Sequence, residues 1–182
     1  MRITGGEARG LRLVVPRLPR IRPTSDRVRG ALFQLVGPLV AGVRVLDLYA
    51  GSGSLGIEAL SRGAVAADFI EQNSRLCEAI KRNLETTGYS TNGHVYRTNV
   101  EKALTILDGP YHLVLLDPPY YLQELPSTME ALSRKGLLDK QAIVVTEHSI
   151  RTPLAEQYGR LAREDLRHYG DTALSVYGIE EP

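Results

Sequence analysis

The segment Asp117-Pro118-Pro119-Tyr120 holds the residues best suited to chemistry in this chain. It follows His112-Leu113-Val114-Leu115-Leu116, a run apolar enough for a buried strand, so the four residues stand at a strand end. Two prolines fix the backbone and remove two N–H donors. What remains is a rigid pair of acceptors, the Asp117 carboxylate and the Pro118 carbonyl, beside the flat face of Tyr120. That arrangement suits an exocyclic amino group on a nucleic-acid base. Such an amine has two hydrogens to donate, and its lone pair is delocalised into the ring. Two acceptors aimed at the hydrogens favour pyramidalisation and localise the lone pair for attack on a methyl group. An aromatic face can stack on the base once it leaves its helix or loop. Asp117 can also take the released proton. Taken alone, the four residues also describe a proline-stiffened turn.

A second constellation lies upstream. Gly51, Gly53 and Gly56 match G-x-G-x-x-G in Ala50-Gly51-Ser52-Gly53-Ser54-Leu55-Gly56, after the strand-like Val43–Tyr49. Glycines allow a tight turn and close backbone approach to a ligand, and the following helix offers free N–H groups. Asp47, four residues before Gly51, argues against a dinucleotide, whose diphosphate it would repel. S-adenosylmethionine has no phosphate; its ammonium and sulfonium both favour a nearby carboxylate. Glu71, at the end of the next strand, suits ribose hydroxyls. Asn99-Val100, after a third, could meet an adenine, and Asn99 reads equally well as a helix N-cap.

The elements that must position these groups alternate. Strands are expected at Val43–Tyr49, Val65–Glu71, His94–Arg97, His112–Asp117 and Gln141–Glu147. Helices are expected from the glycine loop through Arg62, at Ser74–Thr87, Val100–Leu107 and Leu125–Lys135. A tail hairpin over about 161–168 and 172–179 turns at Gly170-Asp171. This pattern predicts an α/β fold, a mostly parallel seven-stranded Rossmann-like sheet with helices on both faces. In such sheets ligands bind beyond the carboxyl ends of the strands, where Asp47, Glu71, Asn99 and Asp117 all fall. A helix is also expected from Thr24-Ser25-Asp26 to Gly37-Pro38. Before it, residues 1–22 read as a basic β-hairpin arm, with Arg2-Ile3-Thr4 and Leu11–Val15 flanking Gly5-Gly6. The main domain is then 23–182. Cys77 reads as core and His148 as a surface histidine; Tyr121 is a second stacking group or a lid residue.

The net charge of +1 conceals an asymmetry. Residues 1–29 carry eight arginines against Glu7 and Asp26, a balance of +6, which leaves about −5 for the rest. Arginine binds phosphate bidentately and stacks on bases, so this end reads as a nucleic-acid contact or a solvated basic arm. Hydrophobic residues at 43% support a packed core and argue against disorder. A lone cysteine excludes an internal disulfide, and no Cys/His spacing suggests a metal site. No apolar run reaches membrane-span length and the Arg-rich start lacks a secretory h-region, so a cytoplasmic protein is expected. No patch suggests a dimer, and a monomer is the default.

Together the motifs resemble a class I methyltransferase of the amino-methylating group. Arg2-Ile3-Thr4-Gly5-Gly6, Arg9-Gly10, Arg22-Pro23-Thr24-Ser25-Asp26-Arg27-Val28-Arg29 and Leu46 through Gly63 make the chain similar to the RsmD family over essentially its whole length. The resemblance implies methylation of the N2 amino group of a guanine in 16S ribosomal RNA, with the assembling small subunit as partner. It implies catalytic roles for Asp117, Pro118, Pro119 and Tyr120, and cofactor contacts from Thr24, Asp47, Ala50, Gly51, Gly53, Glu71, Asn99 and Val100. RNA contacts fall to Arg2, Arg9, Arg12, Arg22, Arg27 and Arg29. One departure is Gly30, where the family usually carries glutamate; it should weaken its helix by about 1 kcal/mol relative to Ala. The competing readings are an adenine-N6 methyltransferase, a nicotinamide-dependent oxidoreductase, which would leave Asp117–Tyr120 idle, and a non-catalytic RNA-binding module, which would leave the glycine loop idle.

Overall fold

A computed structural model describes residues 1–134 and 136–181. The expected helix end at Lys135 and the last residue, Pro182, lie outside them. The elements run α1 (Asp26–Val36), β1 (Arg44–Leu48), α2 (Ser54–Ser61), β2 (Ala66–Glu71), α3 (Ser74–Thr87), β3 (Gly93–Arg97), α4 (Val100–Ile106), β4 (Tyr111–Leu116), α5 (Leu125–Arg134), β5 (Leu138–Ser149), β6 (Gln157–Tyr158), β7 (Leu161–Tyr169) and β8 (Thr172–Ile179). They build one sheet in the order β3-β2-β1-β4-β5-β8-β7-β6. The first five strands are parallel, and β8, β7 and β6 add on antiparallel. The strand beyond the seven expected is β6, only two residues long and too short to leave a periodic signal in the sequence.

Strand alternation divides the core in two. Val45, Leu113, Leu115 and Val145 pack with Leu32 and Phe33 of α1, Leu55 and Ile57 of α2 and Ile80 of α3. Leu46, Leu48, Val114, Leu116 and Val144 pack with Leu104 of α4 and Met129 and Leu132 of α5. Helices therefore cover both faces, and the chain order reverses at β1, which lies between β2 and β4. The crevice for a ligand opens there, above the carboxyl ends of β1 and β4.

Caps fix the helix starts. Ser25 Oγ accepts from the Val28 N–H at 3.1 Å, and Asn73 Oδ1 accepts from Arg75 and Leu76 at 2.9 and 3.2 Å. Gly88, at φ 81°, closes α3 in the left-handed conformation that glycine adopts without strain.

The N-terminal arm departs from a regular hairpin. A short ladder joins Ile3 to Leu11 and Leu13 to Met1, but only the Arg2–Arg12 pair qualifies as a β-bridge. The physical reason is that the arm's polar backbone is used elsewhere: the Thr4 and Gly5 N–H groups donate to Glu58 of α2, and Glu7 N–H donates to the Ser61 carbonyl. Ile3, Ala8 and Leu13 enter the first core cluster, so the arm packs onto α2. His148 also departs from expectation. It is 5% exposed, with Nε2 at 2.8 Å from Ser175 Oγ, because it lies inside the β5–β8 pairing.

Candidate active site

The face of the sheet that carries Val45, Leu115 and Val145 carries Asp47, Asp117 and Glu147 by the same alternation. Three adjacent strands, β1, β4 and β5, thus bring three carboxyl groups to one crevice. Glu71 joins them from the end of β2.

Asp47 stands beneath the glycine loop, 1% exposed. Its Oδ2 accepts the Gly56 N–H at 2.9 Å, while Oδ1 is buried with no hydrogen-bond partner among the described residues. Gly56 has no room for a side chain, since a Cβ would lie 2.3 Å from Phe69 and 3.1 Å from Asp47 Oδ2. Gly51 and Gly53, at φ 59° and 82°, need the left-handed region that glycine tolerates. Tyr49 adopts φ 57° without being glycine, a strained backbone at the carboxyl end of β1, held by its hydroxyl 2.9 Å from Thr128 Oγ1. Glu71 Oε2 accepts the Gly51 N–H and Oε1 the Asn73 N–H, both at 2.9 Å, which ties the loop to β2. Burial pushes Asp47 up to about 8, helped by the charges of Asp117 and Glu71 and opposed by the Gly56 N–H. Burial also raises Glu71, against its backbone donors. Asn99 caps α4, with Oδ1 accepting the Lys102 N–H at 2.8 Å, and Val100 is buried behind it.

Asp117 follows β4 and Pro118 is buried beneath it. The hydroxyl of Thr24, itself 6% exposed, donates to Asp117 Oδ2. Burial lifts Asp117 above the usual carboxylate range, and the Thr24 hydrogen bond works against the rise. Tyr120 is 50% exposed at the mouth, and its hydroxyl lies 2.7 Å from Thr172 Oγ1 and 3.3 Å from Glu147 Oε1. Tyr121 is exposed beside it, and the Leu122 N–H closes the turn onto the Pro119 carbonyl at 2.9 Å. Glu147 escaped the sequence reading. It is 6% exposed, its Oε2 is buried without a partner among the described residues, and burial followed by the Asp117 charge raises it well above the usual carboxylate range. Its signal was its place at the end of Ala142–Thr146, in step with inward-facing Val145.

The arginines separate into two groups. Arg2, Arg9, Arg12, Arg22 and Arg27 are exposed. Arg29 is 0% exposed and turned inward, its Nε 3.2 Å from Glu58 Oε2, so it forms no part of the basic surface. A hollow of about 810 Å³ lined by Gly6, Arg62, Gly63, Val65, Tyr89 and Asn92 sits at the amino end of β2, away from this chemistry. Among the described residues no group of three or more His, Cys, Asp or Glu could hold a metal ion, and no helix is long and apolar enough to cross a membrane.

The order of strands and the crevice over β1 and β4 place the chain in the class I methyltransferase fold. An RNA methyltransferase from Salinibacter ruber, solved with S-adenosyl-L-homocysteine, has the same fold at a TM-score of 0.68 and 18% identity, over 88% of this chain and 95% of that one. The family model described as Conserved hypothetical protein 95 matches residues 1–178, and the chain belongs to that family, the RsmD family. It is 37% identical over 182 residues to the ribosomal RNA small subunit methyltransferase D of Escherichia coli K12, covering 99% of this chain and 90% of that protein. The Haemophilus influenzae protein of the same name is 33% identical over 159 residues, 85% of this chain and 81% of its own. The solved Escherichia coli protein yhhF superposes with a TM-score of 0.89 at 32% identity, over 99% and 98% of the two chains.

Proposed function

We propose that this chain transfers a methyl group from S-adenosylmethionine to the N2 amino group of a guanine in 16S ribosomal RNA of the bacterial small subunit. The observation that carries the reading is Asp117: a carboxylate at the end of β4, backed by Pro118, opening onto the same crevice as the glycine loop and its carboxyl groups. The guanine and the ribosomal substrate are inferred from the RsmD relatives, the amine from the turn itself.

The donor fits the residues. The charges that act most on Asp47 are other carboxylates, Asp117 and Glu71, and Oδ1 of Asp47 lacks a partner among the described residues. Such a crevice favours a cation and disfavours a diphosphate. Glu71 and the loop from Ala50 to Gly53 would hold S-adenosylmethionine, with Asn99 and Val100 at its adenine end and Thr24 near the reacting end. When bound it supplies an electrophilic methyl group on a sulfonium. Asp117 and the Pro118 carbonyl accept from the amino hydrogens and orient the lone pair. Thr24 holds Asp117 in place. Asp117 would take the amino proton released as the N–C bond forms and the donor's S–C bond breaks with its electron pair left on sulfur, and the Thr24 hydrogen bond favours the carboxylate that receives it. Tyr120, half exposed at the mouth, offers a face for the extruded base. The exposed arginines supply sequence-independent attraction to phosphates.

The test is methyl transfer from labelled S-adenosylmethionine to small ribosomal subunits, naked rRNA and DNA in parallel. Label in 16S rRNA is expected; label confined to DNA overturns the reading.

A further inference from the structure

Glu147 has no task in methyl transfer as just described, yet it occupies the crevice. Leu116 of β4 pairs with Thr146 of β5, so the next residues along these parallel strands are Asp117 and Glu147, side by side. The hydroxyls of Tyr120 and Thr24 both act on the Glu147 carboxyl group. Oε1 takes the Tyr120 hydroxyl at 3.3 Å, and Oε2 is buried with no partner among the described residues, on a residue 6% exposed. Buried acceptors are normally satisfied, and an orphan next to a reactive turn points to a donor that arrives with the substrate.

The chemistry of the base says which donor. On guanine the N2 amine adjoins an N1–H, so two donors project from neighbouring atoms of one edge. On adenine the atom next to the amine is an N1 acceptor, which a carboxylate repels. Two adjacent carboxylates match the first edge and clash with the second. We propose that Glu147 Oε2 accepts the N1–H of the target guanine while Asp117 engages its N2 amine, so that the pair reads the base edge and rejects adenine.

The assignment rests on the guanine-N2 reading above. Burial, and then the Asp117 charge, raise the Glu147 carboxyl group, and a charge-assisted hydrogen bond from N1–H works against that rise by favouring the ionised form. The Tyr120 hydroxyl, which bridges Oε1 of Glu147 and Oγ1 of Thr172, fixes Oε1 and leaves Oε2 as the oxygen without a partner among the described residues.

The experiment compares guanine with 2-aminopurine at the methylated position of the rRNA, once that nucleotide has been mapped. 2-Aminopurine keeps the amine but carries no hydrogen on N1. Wild-type protein should favour guanine by about 100-fold in kcat/KM. Glu147→Gln, whose amide can donate to the bare N1, should bring the ratio to about tenfold or less. The missing O6 of 2-aminopurine affects both proteins alike, so the change in ratio isolates residue 147. The variant removes a buried acid and should melt no lower than wild type. Should it fail to fold, Tyr120→Phe decides: loss of the orienting hydroxyl should lower the ratio, and an unchanged ratio overturns the assignment. No wild-type transfer to guanine N2 overturns both readings. Normal transfer with the same ratio in wild type and Glu147→Gln overturns the role of Glu147 alone.

Discussion

Replacing Arg29 by methionine is the sharpest probe of how the basic arm is anchored. Arg29 and Glu58 have side chains with 0% exposure, joined at 3.2 Å. Arg29 also donates to Asp26 and to the Arg2 carbonyl, while Glu58 collects Thr4 and Gly5 of the arm and Arg62. Removing one partner of a buried pair strands the other charge and costs about 3–5 kcal/mol. Glu58 would keep Arg62, whose side chain is 27% exposed, and the arm's donors, so the low end applies: about 3 kcal/mol. For a chain of this size that is a fall in Tm of about 6–12 °C. Glu58→Gln in the same molecule removes the stranded charge and should restore part of the loss, which a double-mutant cycle reads directly. Hydrogen exchange over residues 1–13 should rise in the single variant, because the Arg2 carbonyl loses its donor. Arg22→Gln, at an exposed site, should stay within about 0.5 kcal/mol of wild type. An Arg29→Met protein within 1 kcal/mol of wild type, with an unchanged arm, would refute the anchoring argument.

Asp117→Asn should lower methyl transfer by about 10²–10³-fold while binding of S-adenosylhomocysteine, by calorimetry, stays within a few-fold; equal losses in both would assign Asp117 to the cofactor. Gly30→Ala should stabilise α1 by about 0.5–1 kcal/mol in urea unfolding, since a Cβ there meets nothing within 4 Å. Asp47 is raised to about 8 in the folded chain, so the fold holds a proton that the unfolded chain loses near pH 4, and its contribution declines as pH rises from about 4 to 8. Asp47→Asn should therefore gain stability relative to wild type across that window in urea titrations at successive pH values; a pH-independent difference would contradict the shift. Replacing Arg2, Arg9, Arg12, Arg22 and Arg27 by Gln should weaken rRNA binding and flatten its salt dependence without lowering Tm, whereas unchanged affinity would leave these side chains merely solvated.

Much of this arrangement is legible in the amino-acid sequence. Val45-Leu46 and Leu113–Leu116 are apolar and buried on both faces, so they announce strands of a covered parallel sheet, and the carboxyl residues that follow them, Asp47 and Asp117, fall at the crevice. Ser25 and Asn99 cap helices because their short oxygen-bearing side chains reach free N–H groups one turn ahead. Arg29 was misread among its basic neighbours, yet it lies three, four and seven residues from Leu32, Phe33 and Val36, on the buried stripe of α1. Its partner was visible in the same way: α2 is buried all round, so Glu58 inside it required a cation. Glu147 and His148 were hidden by their polarity at the end of an apolar strand. What buries them is β8, paired along β5 from Ile143 to Ser149, a long-range pairing that the alternation within β5 does not by itself reveal. The arm's hairpin was overestimated for a similar reason, since its N–H groups are taken by Glu58 and Ser61, more than fifty residues away.

The central claim is tested most directly by identifying the modified nucleoside. 16S rRNA from small subunits treated with the protein and labelled S-adenosylmethionine is digested to nucleosides and resolved by mass spectrometry. N2-methylguanosine carrying the label, absent with Asp117→Asn, is the expected product. Label in N6-methyladenosine, or in no nucleoside of the RNA, would contradict the account.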